Sequence, residues 1–180
     1  MKGVVFDILR DMVEGQYGLK GWQGILNQAG SEGIYISTQT YSDEELMSLV
    51  QAASSITGIE IEKLIFAFGE YMIPNFYQRF PVLFDNSNSF IDFLVSVDNI
   101  IHVEVRKLYP DAGVPSFEYD QQSPTELTMI YRSPRKLCKL AEGLISGSAN
   151  HFDQQYQISH DTCMHNGSDH CSLKITLVTV

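Results

Sequence analysis

With 180 residues, 44% of them hydrophobic and 11% aromatic, the chain can bury a substantial core in one domain, and this composition excludes intrinsic disorder. Twelve basic against 22 acidic residues leave a net charge of -10, which opposes approach to phosphate backbones and anionic lipid, so neither nucleic acid nor a membrane is an expected partner. The opening MKGVVFDILRDM is interrupted by Asp7, Arg10 and Asp11 and makes neither a signal-peptide core nor a membrane span, which leads to the expectation of a cytoplasmic protein.

The first two thirds read as helical. Ser42-Asp43-Glu44-Glu45 resembles a capping start, and Leu46, Leu49 and Val50 follow at helical spacing, which predicts an amphipathic helix over Asp43 to Ala53 that Gly58 ends. From Ile59 to Arg79 the set Ile61, Leu64, Ile65, Phe68, Met72 and Phe76 recurs every three or four residues, with Pro74 expected to kink or interrupt the helix. Ser87 and Asn88 precede a longer helix running to about Tyr109. Its stripe is Phe90, Leu94, Val97, Ile101 and Leu108, and Pro110, Asp111 and Gly113 stop it.

Beyond Gly113, Pro115 to Tyr119 and Leu127 to Arg132 are short β-branched and aromatic segments separated by turn formers, as strands are. Lys136 to Phe152 returns to helical spacing through Leu137, Leu140, Leu144 and Ile145. Tyr156, Ile158 and His160 then alternate as a strand does, and so do Leu173, Ile175, Leu177 and Thr179. The expected architecture is α+β in a single domain over 1–180. A helical lobe of about 1–112 would pack on an antiparallel, sheet-containing lobe of about 113–180 that carries one more helix.

His102 lies late in the long helix between Ile101 and Val103, with Val105 nearby, so its imidazole is expected to face an apolar space. By itself such a histidine is as compatible with a hydrogen-bonded core residue as with a metal ligand. In Tyr131-Arg132-Ser133-Pro134-Arg135 an extended backbone projects Tyr131, Ser133 and Arg135 from one side, and Pro134 biases Ser133 towards that conformation. Phenol, hydroxyl and guanidinium together suit a pair of carboxylates, although an ordinary solvated strand edge has the same residues.

Taken together, HVEVRKLYPDAGVPSF around His102 and the following YRSPR resemble the haem-nitric oxide/oxygen binding family, H-NOX. The resemblance extends over most of the chain, from the MKG start through Pro115 to Gly143-Leu144-Ile145. It implies haem b as cofactor, with His102 as the proximal iron ligand, Tyr131, Ser133 and Arg135 holding the propionates, and Pro115 pressing on the porphyrin. One axial histidine leaves the sixth iron position open to a diatomic gas. The distal wall implied by the resemblance is Val5, Leu9, Met72, Phe76, Leu140 and Leu144, none of which donates a strong hydrogen bond. Oxygen-binding members carry tyrosine where this chain has Leu140, so nitric oxide and carbon monoxide are the expected ligands and stable oxygen binding is not.

Three cysteines cannot all pair within one chain, and thiols this sparse point to burial, metal binding or redox sensing. Cys138, His160, Cys163 and Cys171 offer the four ligands that structural Zn²⁺ prefers, with His165 and His170 as rival nitrogen donors beside the same turn. Some bacterial members of the family resemble this chain in having such a zinc site, while buried thiols beside a histidine-rich turn are the bland alternative. The resemblance implies a sensor without catalysis of its own, which signals to a separate histidine kinase or cyclic-di-GMP enzyme. A zinc-thiolate redox sensor is the alternative. A zinc enzyme is disfavoured because four protein ligands close the site.

Overall fold

The N-terminal segment folds as α1, Gly3–Ala29, broken at Gly18, whose φ of 68° and ψ of 178° are not helical. The computed structural model describes residues 1–109 and 111–178. Pro110 and Thr179, read above as a helix stop and a strand residue, lie outside the described residues, as does the side chain of Leu108. Val5, Phe6, Ile8, Leu9 and Val13 form the buried stripe of α1, and Asp7, Arg10 and Asp11 take the outer side, as in an amphipathic helix. At Gly3 a Cβ would collide with the Ile36 carbonyl oxygen, because segment 36–39 runs against the start of α1 and its Ser37 and Gln39 carbonyls accept from the Val4 and Gly3 amides.

Helix α2, Asp43–Thr57, starts where Ser42 Oγ accepts from the Glu45 amide at 3.1 Å, and it ends at Gly58 in the left-handed region. Helix α3, Ile61–Arg79, is followed by the short α4, Val82–Asp85, and by α5, Phe90–Ser96. Pro74 does not interrupt α3, which continues for five residues beyond it. Ser89, rather than Ser87 or Asn88, caps α5, accepting from the Asp92 amide at 3.1 Å. The long helix expected up to Tyr109 is not uniformly α-helical: α5 passes through a π turn, Val97–Ile101, into α6, His102–Leu108.

Strands β1, Ser116–Ser123, and β2, Glu126–Arg132, lead to helix α7, Cys138–His151, and then to β3, Tyr156–Thr162, and β4, Cys171–Leu177. The sheet order is β1-β2-β4-β3, with every pairing antiparallel. Leu127, Met129 and Tyr131 of β2 stand opposite Ile175, Leu173 and Cys171 of β4, and all six are buried, so one face of the sheet is core. The architecture is α+β, as the sequence patterning predicts.

Two hydrophobic clusters meet at α7. Leu140 belongs to the N-terminal cluster with Val5, Leu9 and Met72, while Cys138, Ala141 and Ile145 belong to the cluster over the sheet. Close approach of α3 and α7 makes this possible, since a Cβ on Gly143 would collide with the Phe66 carbonyl oxygen and one on Gly69 would lie 2.6 Å from that of Leu140. The Glu70 carbonyl, which Pro74 deprives of an i+4 amide, adjoins Gly147 at the same crossing. No helix among the described residues is long and apolar enough to cross a membrane.

Candidate functional site

His102 opens α6 at the end of the π turn, its amide reaching back to the Val97 carbonyl. A π turn is a rare widening that recurs at functional sites. The imidazole side chain is 13% exposed, and Nδ1 lies 2.9 Å from Asp98 Oδ1. Burial lowers the His102 pKa below its ordinary value, against the opposing pull of Asp98 and the Pro115 carbonyl, so the ring is largely neutral near pH 7. Asp98, when ionised, only accepts hydrogen bonds, which favours the tautomer with the ring proton on Nδ1 and the lone pair on Nε2.

Strand β1 supports this histidine. The Phe117 ring stacks on His102 with centroids 6.0 Å apart, and the Asp98 amide donates to Tyr119 Oη at 3.2 Å. Burial pushes the Tyr119 hydroxyl up to about 12, so it remains a neutral phenol there. Phe117 also packs against Tyr131, at 5.5 Å between centroids, and thereby links the histidine to the Tyr-x-Ser-x-Arg segment.

The three side chains of that segment do not project from one extended strand. β2 ends at Arg132, and Ser133 Oγ accepts from the Arg135 amide at 3.3 Å, which bends Ser133–Lys136 into a turn. Tyr131 and Ser133 are buried, and Tyr131 Oη accepts from the Leu137 amide at 3.1 Å. Arg135 instead reaches out of the turn, donating from Nε to Asp43 Oδ2 at 2.6 Å and from its guanidinium to the Gly113 carbonyl. The segment is thus adjacent to the 113–117 stretch beside His102, through Arg135 at Gly113 and through Tyr131 at Phe117. Pro115 is half-buried at the entrance to β1.

The remaining apolar residues converge on the other side of α7. Val5, Leu9, Met72 and Leu140 are buried in one cluster, whereas Phe76 and Leu144 are half-buried and pack against both clusters. A neutral imidazole, a guanidinium with two hydroxyls and a seam of apolar side chains fit the donor, carboxylate and face requirements of a haem.

A second constellation lies below the sheet. Ligand atoms of Cys138, His160, Cys163 and Cys171 are all within 4.8 Å of one another, and Cys163 Sγ is 3.9 Å from both other sulfurs. Tetrahedral zinc with bonds of about 2.3 Å places its sulfur ligands about 3.8 Å apart. His160 Nε2 is buried without a hydrogen-bond partner, while its Nδ1 sits 2.6 Å from Glu142 Oε1, which also accepts from Lys139 Nζ at 3.1 Å. His165 and His170 are engaged elsewhere, at the Lys136 carbonyl and Asp169, so His160 is the histidine whose ring nitrogen lies with the three sulfurs. Burial and the neighbouring sulfurs push the Cys138 thiol up to about 12, a cost that a bound cation removes.

The sequence reading missed Asp98, Phe117, Tyr119, Asp43 and Glu142. Only the four-residue spacing of Asp98 and His102 was visible as a signal, and the others depend on contacts between separate elements.

Residues 2–160 match the Haem-NO-binding family. The chain belongs to the H-NOX family. Members of this family are haem-based gas sensors. The fold superimposes with a TM-score of 0.94 on the crystal structure of an H-NOX protein from S. oneidensis in the Fe(II)NO ligation state, which is 37% identical, with 99% of this chain and 100% of that one covered. An unliganded Fe(II) H-NOX protein from K. algicida gives a TM-score of 0.91 at 32% identity, covering 100% of this chain and 98% of that one. Among curated proteins, soluble guanylate cyclase 89Db of Drosophila melanogaster is 26% identical over 139 residues, 75% of this chain. That match spans only 20% of the cyclase.

Proposed function

We propose that the chain is a gas sensor that binds haem b through His102, its one protein ligand to iron, and responds to nitric oxide and carbon monoxide. The His102 environment carries the reading: a half-buried, largely neutral imidazole whose Nδ1 is engaged by Asp98, which would leave Nε2 as the donor atom. When bound, haem supplies an iron with one open position for a diatomic gas. Tyr131, Ser133 and Arg135 hold the propionates, with the guanidinium exchanging part of its contact to Asp43 or Gly113 for a carboxylate. Pro115, whose carbonyl adjoins His102, would pack against the porphyrin.

Val5, Leu9, Met72, Phe76, Leu140 and Leu144 face the gas. None is a hydrogen-bond donor, which favours nitric oxide and carbon monoxide over oxygen. Residues 1–180 act as one sensing unit, without catalysis, towards a separate histidine kinase or cyclic-di-GMP enzyme. If gas binding were to release His102, α6 would lose its tether and the helical part, about 1–112, would be free to turn on the sheet part, about 113–180. A switch from mostly one state to mostly the other needs about 5.5 kcal/mol of differential affinity. Partner regulation and small-angle scattering, compared in the unliganded, carbon monoxide and nitric oxide forms, test this: identical effects of the two gases contradict release of His102 as the signal.

The orphaned His160 Nε2 favours a second element of the reading, a structural Zn²⁺ held by Cys138, His160, Cys163 and Cys171. Oxidation of the same thiols is a redox signal compatible with gas sensing.

A further inference from the structure

We infer that Asp98 is a positioning residue for His102: by accepting the Nδ1 proton, its carboxylate strengthens the imidazole as an iron ligand and sets how readily a gas on the opposite face displaces it. This inference rests on the reading of His102 as the iron ligand. An aspartate four residues before a histidine is by itself an ordinary helical neighbour. Four observations set this pair apart.

The pair spans the π turn of the helix, with Asp98 inside the widened segment and His102 at its end. The Asp98 amide donates to Tyr119 Oη at 3.2 Å, which ties the backbone from which the carboxylate reaches Nδ1 to β1. Both side chains are largely withdrawn from solvent, with 22% of Asp98 and 13% of His102 exposed, where a charged hydrogen bond is worth more than at a surface. Phe117 closes the stack on the imidazole, at 6.0 Å between centroids.

The chemistry follows from the acceptor. A carboxylate on Nδ1–H draws that proton towards itself and gives the ring partial imidazolate character, which raises the electron density at Nε2. A stronger proximal donor resists displacement, so Asp98 sets the threshold that a gas must overcome to free α6.

The test is resonance Raman spectroscopy of the ferrous holoprotein. The wild type should have an iron–histidine stretching band that disappears in His102→Gly, and its absence from the wild type overturns the His102 reading itself. Asp98→Asn keeps size and polarity but removes the charge. It should move the band to lower frequency and shift the balance between histidine-bound and histidine-released nitric oxide forms about tenfold towards release. Asp98→Glu, which keeps the charge, should fall between Asp98→Asn and the wild type. A band and balance unchanged in Asp98→Asn overturn the inference and leave the role of His102 standing. Where Asp98→Asn does not retain haem, nitrogen-detected NMR of the wild-type carbon monoxide form decides. A protected, strongly downfield Nδ1 proton on His102 supports the inference, and a freely exchanging one overturns it.

Discussion

Arg135 donates through Nε to the Asp43 carboxylate at 2.6 Å, joining the turn after β2 to the first turn of α2 across 92 residues of chain. The Met1 amine contacts the same carboxylate at 3.1 Å. Burial alone would raise the Asp43 pKa, yet these two cations hold it below its ordinary value.

A carboxyl depressed in the folded state stabilises the protein above its unfolded pKa, near about 4, and that contribution is lost as pH falls through the folded value. Asp43→Asn should therefore melt below the wild type at neutral pH and approach it in acid. Solvent screening limits the difference to about 1 kcal/mol or less. Thermal melts at both pH values check this, and a deficit that persists undiminished in acid contradicts it.

Gly143 allows α3 and α7 to meet at the level of their backbones. Gly143→Ala would drive a methyl group into the Phe66 carbonyl, which a packed helix pair relieves only by moving apart. Urea denaturation should register a loss of about 2–4 kcal/mol. A loss below about 0.5 kcal/mol would mean that the crossing is looser than described.

Protein purified under reducing conditions should contain one zinc per chain, and His160→Ala or a strong chelator should loosen the β3–β4 hairpin before the N-terminal helices. Metal analysis and hydrogen exchange read the two parts separately. Zinc-free protein with a fully protected hairpin would reduce the cluster to buried thiols.

Leu140 is 8% exposed and projects from α7 into the N-terminal cluster. Leu140→Tyr places a phenolic donor in an otherwise donor-free wall and should produce a stable oxygen complex in air, at an overpacking cost of about 1–3 kcal/mol. Absorption spectra of the reduced variant in air decide this. Continued absence of an oxygen complex would show that the wall lies elsewhere.

Much of this was legible where one element carries its own signal. Ser42 and Gly58 bracket α2, the apolar spacing runs the length of α3, and alternation marks β2 and β4. The sequence does not reveal the break at Gly18, because a helix pattern on either side conceals a single change of dihedral angle. The π turn is equally hidden, since one inserted residue alters the phase of a stripe without altering its composition. The grouping of Cys138, His160, Cys163 and Cys171, whose ligand atoms lie within 4.8 Å of one another, was legible from residue type. Arg135 was placed on an extended strand because local spacing carries no trace of the Ser133 turn or of an Asp43 far away in the chain.

The most direct test of the central claim is the absorption spectrum of the ferrous protein and of its His102→Gly variant, with and without added imidazole. Wild type should give a strong Soret band that changes on addition of nitric oxide. The variant should lose haem or hold it only when imidazole fills the vacated position. A variant with the same Soret band and the same iron ligation as the wild type, independent of imidazole, would contradict His102 as the ligand.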